Sequence, residues 1–83
     1  MNIKKEVPAF STTATAITPG WYRQYRGGRY EVIGLGRHSE TLEEVVIYRR
    51  DGVTDLWTRP VGMWFELVDY DGHPQPRFVL EQF

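Results

Sequence analysis

From Trp21 onward, the apolar residues of this chain come in short runs, and glycine, an Asp-Gly pair or proline cuts off nearly every one. An amphipathic helix needs an apolar stripe sustained over several turns. Runs of about four to eight β-branched and aromatic residues between turn signals fit strands instead. A chain punctuated this often folds as a sheet of short strands.

Trp21-Tyr22-Arg23-Gln24-Tyr25 is the first strand candidate, and Arg26-Gly27-Gly28-Arg29 places glycines where a tight hairpin needs positive φ. Residues 30–36 form the return strand, within which Gly34 and Gly36 mark a bulge or sharp bend. Residues 45–49, a β-branched cluster, predict a central strand; Asp51-Gly52 turns the chain into residues 56–59. Pro60 ends that strand because it brings no N–H to the ladder, and it opens a single helical turn over residues 61–65. Residues 66–68 resume a strand, Asp71-Gly72 turns again, and residues 77–80 are the last strand. The expected fold is mainly β: a small antiparallel barrel or a rolled sheet of five or six strands, with one short helical turn.

A chain of 83 residues makes one domain, and without cysteine it depends on packing for support. An aromatic content of 14% suits that need, because each buried ring removes roughly 150–250 Å² from water. Residues 1–18 contain a Ser/Thr/Ala stretch with no steady period and are expected to form a flexible tail, with the domain spanning 19–83 from the Pro19-Gly20 turn. No apolar run approaches a membrane span, and the start of the chain lacks the apolar segment of a signal peptide, so the expected compartment is the cytoplasm.

Residues 36–44, Gly-Arg-His-Ser-Glu-Thr-Leu-Glu-Glu, concentrate the titratable and nucleophilic side chains between two strands. His38 with Ser39 and Glu40 invites a base, nucleophile and orienting carboxylate, the catalytic candidates of this chain. Adjacency argues against it, since neighbours on extended backbone point to opposite sides. The alternative is a polar connector, with Ser39 and Thr41 bonded to nearby backbone and Thr41-x-x-Glu44 as the capping box of one helical turn. A metal site is not expected, because His38 and His73 lie far apart in the chain and cysteine is absent. Gly34-Leu35-Gly36 lacks the third glycine of a dinucleotide fingerprint, and no cofactor is expected.

The net charge of −1 removes the footprint of a dedicated nucleic-acid binder. Locally, Arg23, Arg26, Arg29 and Arg37 face Glu31 alone between residues 21 and 37, a window of charge +3 interleaved with aromatics. Such a surface stacks bases and holds phosphates, or it is simply the solvated face of a half-buried hairpin.

These blocks carry a resemblance. Gly20-x-Tyr22, Tyr25-Arg26-Gly27, Tyr30-Glu31-Val32, Arg37-His38-Ser39-Glu40-Thr41-Leu42-Glu43, Leu56-Trp57-Thr58-Arg59-Pro60 with Met63, and Arg77-Phe78 resemble the uncharacterised bacterial domain family DUF1653 over roughly residues 20–78. The family has no established activity to imply. The chain departs from the family pattern at Gln24, where histidine is expected, at Gly36 for alanine and at Thr58 for valine, and its connection from Tyr48 to Trp57 is shortened.

The leading expectation is a small β binding module for protein, peptide or single-stranded RNA, its face built from Tyr22, Arg23, Arg37, His38, Glu40, Thr41, Trp57 and Arg59. The competing classes are a small enzyme using His38 with Glu40 or Ser39, and an interaction subunit that dimerises through an aromatic patch.

Overall fold

The computed structural model describes residues 7–81. In chain order the elements are α1 (Thr12–Thr15), β1 (Gly20–Gln24), β2 (Arg29–Arg37), β3 (Glu44–Arg50), β4 (Trp57–Pro60), α2 (Val61–Trp64), β5 (Leu67–Tyr70), β6 (His73–Pro76) and β7 (Phe78–Leu80). Five strands make an antiparallel sheet in the order β4-β3-β2-β1-β7, and β5 pairs with β6 as a separate ribbon.

The turns follow from the glycines. Between β1 and β2, the Gly27 N–H donates to Gln24 O at 2.7 Å and the Gln24 N–H to Gly28 O at 2.6 Å. Gly27 closes this loop at φ 99°, which a side chain would resist. In β2 the register with β3 slips between Val32 and Gly34, leaving Ile33 as the extra residue of a bulge. The slip restores phase: Val32 pairs with Tyr48 and Leu35 with Val46, so both turn toward the same face although three positions apart.

That inner face holds the core. Tyr22, Val32, Val46, Tyr48 and Phe78 line it, covered by Val61 and Trp64 of α2 and by Ala14 and Ile17 from the N-terminal side. Trp64 stacks on Phe78 with ring centroids 4.2 Å apart, while Tyr48 and Tyr22 meet Trp64 edge-on at 5.4 and 5.6 Å. Such pairs add about 0.5–1.5 kcal/mol each beyond the area they bury.

The expected mainly β fold is present in its rolled-sheet rather than its barrel form, with β4 and β7 as the two edges of the sheet. Two other expectations are corrected. A second helical turn, α1, accompanies α2; Ser11 caps it, its Oγ accepting the Ala14 N–H at 3.1 Å. Residues 12–17 are therefore packed rather than a tail, since Ala14 and Ile17 are buried; residues 1–6 lie outside the described residues. Finally, β6 forms although it carries Pro74 and Pro76, because β5 is its sole strand partner among the described residues and its other side needs no N–H.

Candidate functional site

Of the polar run of residues 36–44, Gly36 and Arg37 end β2, Glu44 begins β3, and residues 38–43 between them form a closed loop rather than a helical turn. The Leu42 N–H donates to His38 O and the His38 N–H to Glu43 O, both at 2.8 Å, and Leu42 takes φ 64° to complete the bend. His38 Nδ1 accepts the backbone N–H groups of Glu40 at 3.1 Å and Thr41 at 3.3 Å, so the imidazole acts as a turn former. Thr41 Oγ1 accepts the Glu43 N–H in the same manner, and Glu44 belongs to β3, which corrects the capping box. Among the described residues no hydrogen bond joins the Ser39 hydroxyl or the Glu40 carboxylate to His38, so the nucleophile and base are not assembled.

The ends of this loop hold the N-terminal segment. Glu44 accepts the Ser11 N–H at 2.6 Å and the Ser11 hydroxyl at 2.7 Å. These two bonds, with the Arg37 charge opposite, hold the Glu44 carboxyl below the usual carboxylate range despite a partial opposing effect of desolvation. Arg37 donates to Leu42 O at 3.0 Å and to Pro8 O, and its guanidinium lies 4.7 Å over the Phe10 ring. Arg37 is thus committed to structure.

Within the basic window Arg23 and Arg29 likewise take partners from elsewhere in the chain, whereas Arg26 lies over the ring of its neighbour Tyr25 at 5.7 Å. Arg23 and Arg29 both reach Glu81, at 3.1 and 3.0 Å, and Arg49 forks onto Glu31 Oε1 at 2.9 and 3.1 Å. Arg29 also lies 3.7 Å from Asp51 and stacks over Trp21 at 4.1 Å. Arg23, Arg29 and Arg49 thus meet Glu31, Asp51 and Glu81, three cations against three anions, which leaves this paired patch without the net positive charge that phosphate binding needs.

The remaining expected residues do not meet. Tyr22 is a core residue whose hydroxyl donates to Thr18 O at 2.7 Å. Arg59 pairs with Val46 and turns inward, its guanidinium 6.0 Å from the Phe78 ring, with its Nε buried and unpartnered among the described residues. Trp57 stands exposed opposite Tyr48, at the other end of β4 from Pro60. Among the described residues no cluster of His, Asp and Glu is placed to hold a metal, and no helix is long and apolar enough to cross a membrane.

A concave site lies elsewhere. Between α1, α2, the start of β5 and the edge strand β7 runs an apolar groove of about 380 Å³. Trp64 and Phe78 form its floor; Phe65, Leu67 and Leu80 form its rim and are 51%, 65% and 36% exposed. Across β7 a second depression of about 390 Å³ has a mixed lining of Arg23, Gln24, Tyr25, Gln75, Val79 and Glu81, and shares Pro76 and Leu80 with the first.

A family model described as a protein of unknown function, DUF1653, matches residues 20–80. The chain belongs to the DUF1653 family. A crystal structure of a DUF1653 protein from Bordetella bronchiseptica is similar at 39% identity and a TM-score of 0.74, covering 82% of this chain and 91% of that one. Among curated proteins, none matches.

In this DUF1653 chain the family match begins at β1, leaving α1 and Ser11 outside it while Glu44, which anchors them, lies within it. Reading the sequence missed Phe65, Leu67 and Leu80 as site residues. One signal was available: residues 61–65 are apolar throughout, and a single helical turn buries only the two that face the sheet, Val61 and Trp64.

Proposed function

We propose that this DUF1653 domain is a binding module that takes an apolar segment of a protein or peptide into the groove beside β7. One observation carries the reading: three large apolar side chains, Phe65, Leu67 and Leu80, rim a concavity floored by an aromatic stack. Burying a side chain of this size is worth about 1.5–3 kcal/mol, so a rim left in water is a store of binding energy for an apolar partner. Concave apolar surface with a few polar groups nearby is the ordinary form of a binding site. The loop of residues 38–43 then serves as a connector between Arg37 and Glu44, which fasten the N-terminal segment, and the outer-face ion pairs hold the sheet.

Calorimetric titration tests this with a peptide of roughly ten residues alternating leucine and threonine. Because Phe65 and Leu67 are exposed, Phe65→Ser and Leu67→Asp keep the fold, which circular dichroism checks. Each is expected to weaken binding at least about tenfold, the loss of one apolar contact of that size. Unchanged affinity in both variants contradicts the reading.

A further inference from the structure

The geometry points to a mode of capture: we infer that the partner segment enters as an added strand on the edge of β7 that no strand occupies among the described residues, apolar side chains facing the groove and small amphipathic ones, such as threonine, facing the mixed outer depression. This rests on the groove being the binding site.

The phase of the ladder is the first support. The Glu81 N–H donates to Trp21 O at 2.9 Å and the Tyr25 N–H to Arg77 O at 3.0 Å. With Arg23 opposite Val79, Val79 and Glu81 turn their backbone groups toward β1, as does the Arg77 C=O, while the Arg77 N–H donates to Glu66 O at 3.3 Å just before β7 begins. The N–H and C=O groups of Phe78 and Leu80 therefore point away from the sheet, and no strand pairs with them among the described residues.

The second support is what lies on each side of that edge. Side chains of an added antiparallel strand opposite Phe78 and Leu80 project to the inner face, over the groove of Trp64, Phe65 and Leu67. The side chain opposite Val79 projects to the outer face, toward the depression holding Arg23, Gln75 and Glu81. The two hollows share Pro76 and Leu80, so the strand edge is the ridge between them. A segment alternating apolar and amphipathic side chains, as leucine and threonine do, matches this period of two and the mixed lining of the second hollow.

The third is the contrast between the two edges. β4 carries Arg59 and Pro60, the charge and proline that discourage strand addition, whereas Phe78-Val79-Leu80 carries neither. A second copy of the chain is a poor occupant. Pairing β7 with itself would offer Phe78 and Leu80 to the partner's groove, yet Phe78 is already buried on its own Trp64. A foreign segment brings side chains not yet committed.

Two versions of the leucine–threonine peptide test the inference, N-methylated on all leucines or on all threonines. In a strand only alternate amides face the receiving edge, so one version is expected to lose binding at least about tenfold while the other retains it. Loss in the leucine version marks an antiparallel strand, and loss in the threonine version a parallel one. In parallel, Leu80→Pro removes the outward N–H that Leu80→Ala keeps, and proline is expected to bind the unmodified peptide at least about fivefold more weakly than alanine. Equal effects of the two methylation patterns, with the unmodified peptide still sensitive to Leu67→Asp, overturn strand addition and leave the groove reading standing. An unmodified peptide that does not bind overturns both. Sedimentation as a dimer that Leu80→Pro splits assigns the edge to a second copy and also overturns the inference.

Discussion

Glu44 couples the N-terminal segment to the sheet through one backbone and one hydroxyl bond from Ser11, which is also the cap of α1. A carboxyl held below its ordinary range in the folded chain adds stability that is fully present above the unfolded value and disappears as pH falls through the folded one. Acidification below the usual glutamate range is thus expected to free residues 8–17 before the sheet yields. Amide exchange at Ala14, whose N–H is held by Ser11 Oγ, measures this; Glu44→Gln should speed that exchange at neutral pH and flatten its dependence on pH. A second prediction concerns Gly36. A Cβ there would stand 2.9 Å from Ile47 Cδ1, the far end of a flexible side chain, and 3.6 Å from Val45 Cγ2. Gly36→Ala is expected to cost about 0.5–1.5 kcal/mol by pushing Ile47 off its rotamer, and adding Ile47→Val should recover most of it in a denaturation series. Alanine at this position therefore requires a smaller neighbour on β3.

At the scale of elements, α2 is the test case, because four residues with no side-chain cap do not hold a helix by themselves. Tertiary packing makes it: Val61 and Trp64, three apart, bury against β3 and β7. Trp64→Ala is predicted to cost about 3–5 kcal/mol, a large share of the roughly 4–12 kcal/mol typical of a chain of 83 residues. Urea denaturation should show the whole chain unfolding earlier rather than α2 alone fraying. Most elements were legible in the sequence for local reasons. Gly27 and the Asp71-Gly72 pair fixed hairpins, Gly34 marked the bulge, and Pro60 placed the start of α2. What escaped were features set by distant partners. α1 has no periodic apolar face, and only the packing of Ala14 and Ile17 onto the sheet makes it an element. β6 is hidden by its prolines, and a separate two-stranded ribbon tolerates them. The charge of the first hairpin read as +3 because Glu81, the carboxylate that Arg23 and Arg29 share, lies more than fifty residues away in the chain.

Across the whole molecule, polar chemistry and apolar opportunity are separated. The ion pairs of the outer face balance one another, His38 and Thr41 of the loop bond to its own backbone, and the exposed apolar rim gathers beside the edge of β7. A partner held by such a surface is insensitive to salt. Raising ionic strength from about 0.05 to 0.5 M should change affinity for the leucine–threonine peptide less than about twofold, where phosphate-mediated binding would fall by orders of magnitude. The central claim is that the groove beside β7, not the histidine loop, is the binding site. Amide chemical-shift mapping during titration with that peptide tests it most directly. The account predicts shifts at residues 64–67 and 78–80 and none at 38–43; shifts gathered on residues 38–43 and 57–59, or none anywhere, would contradict it.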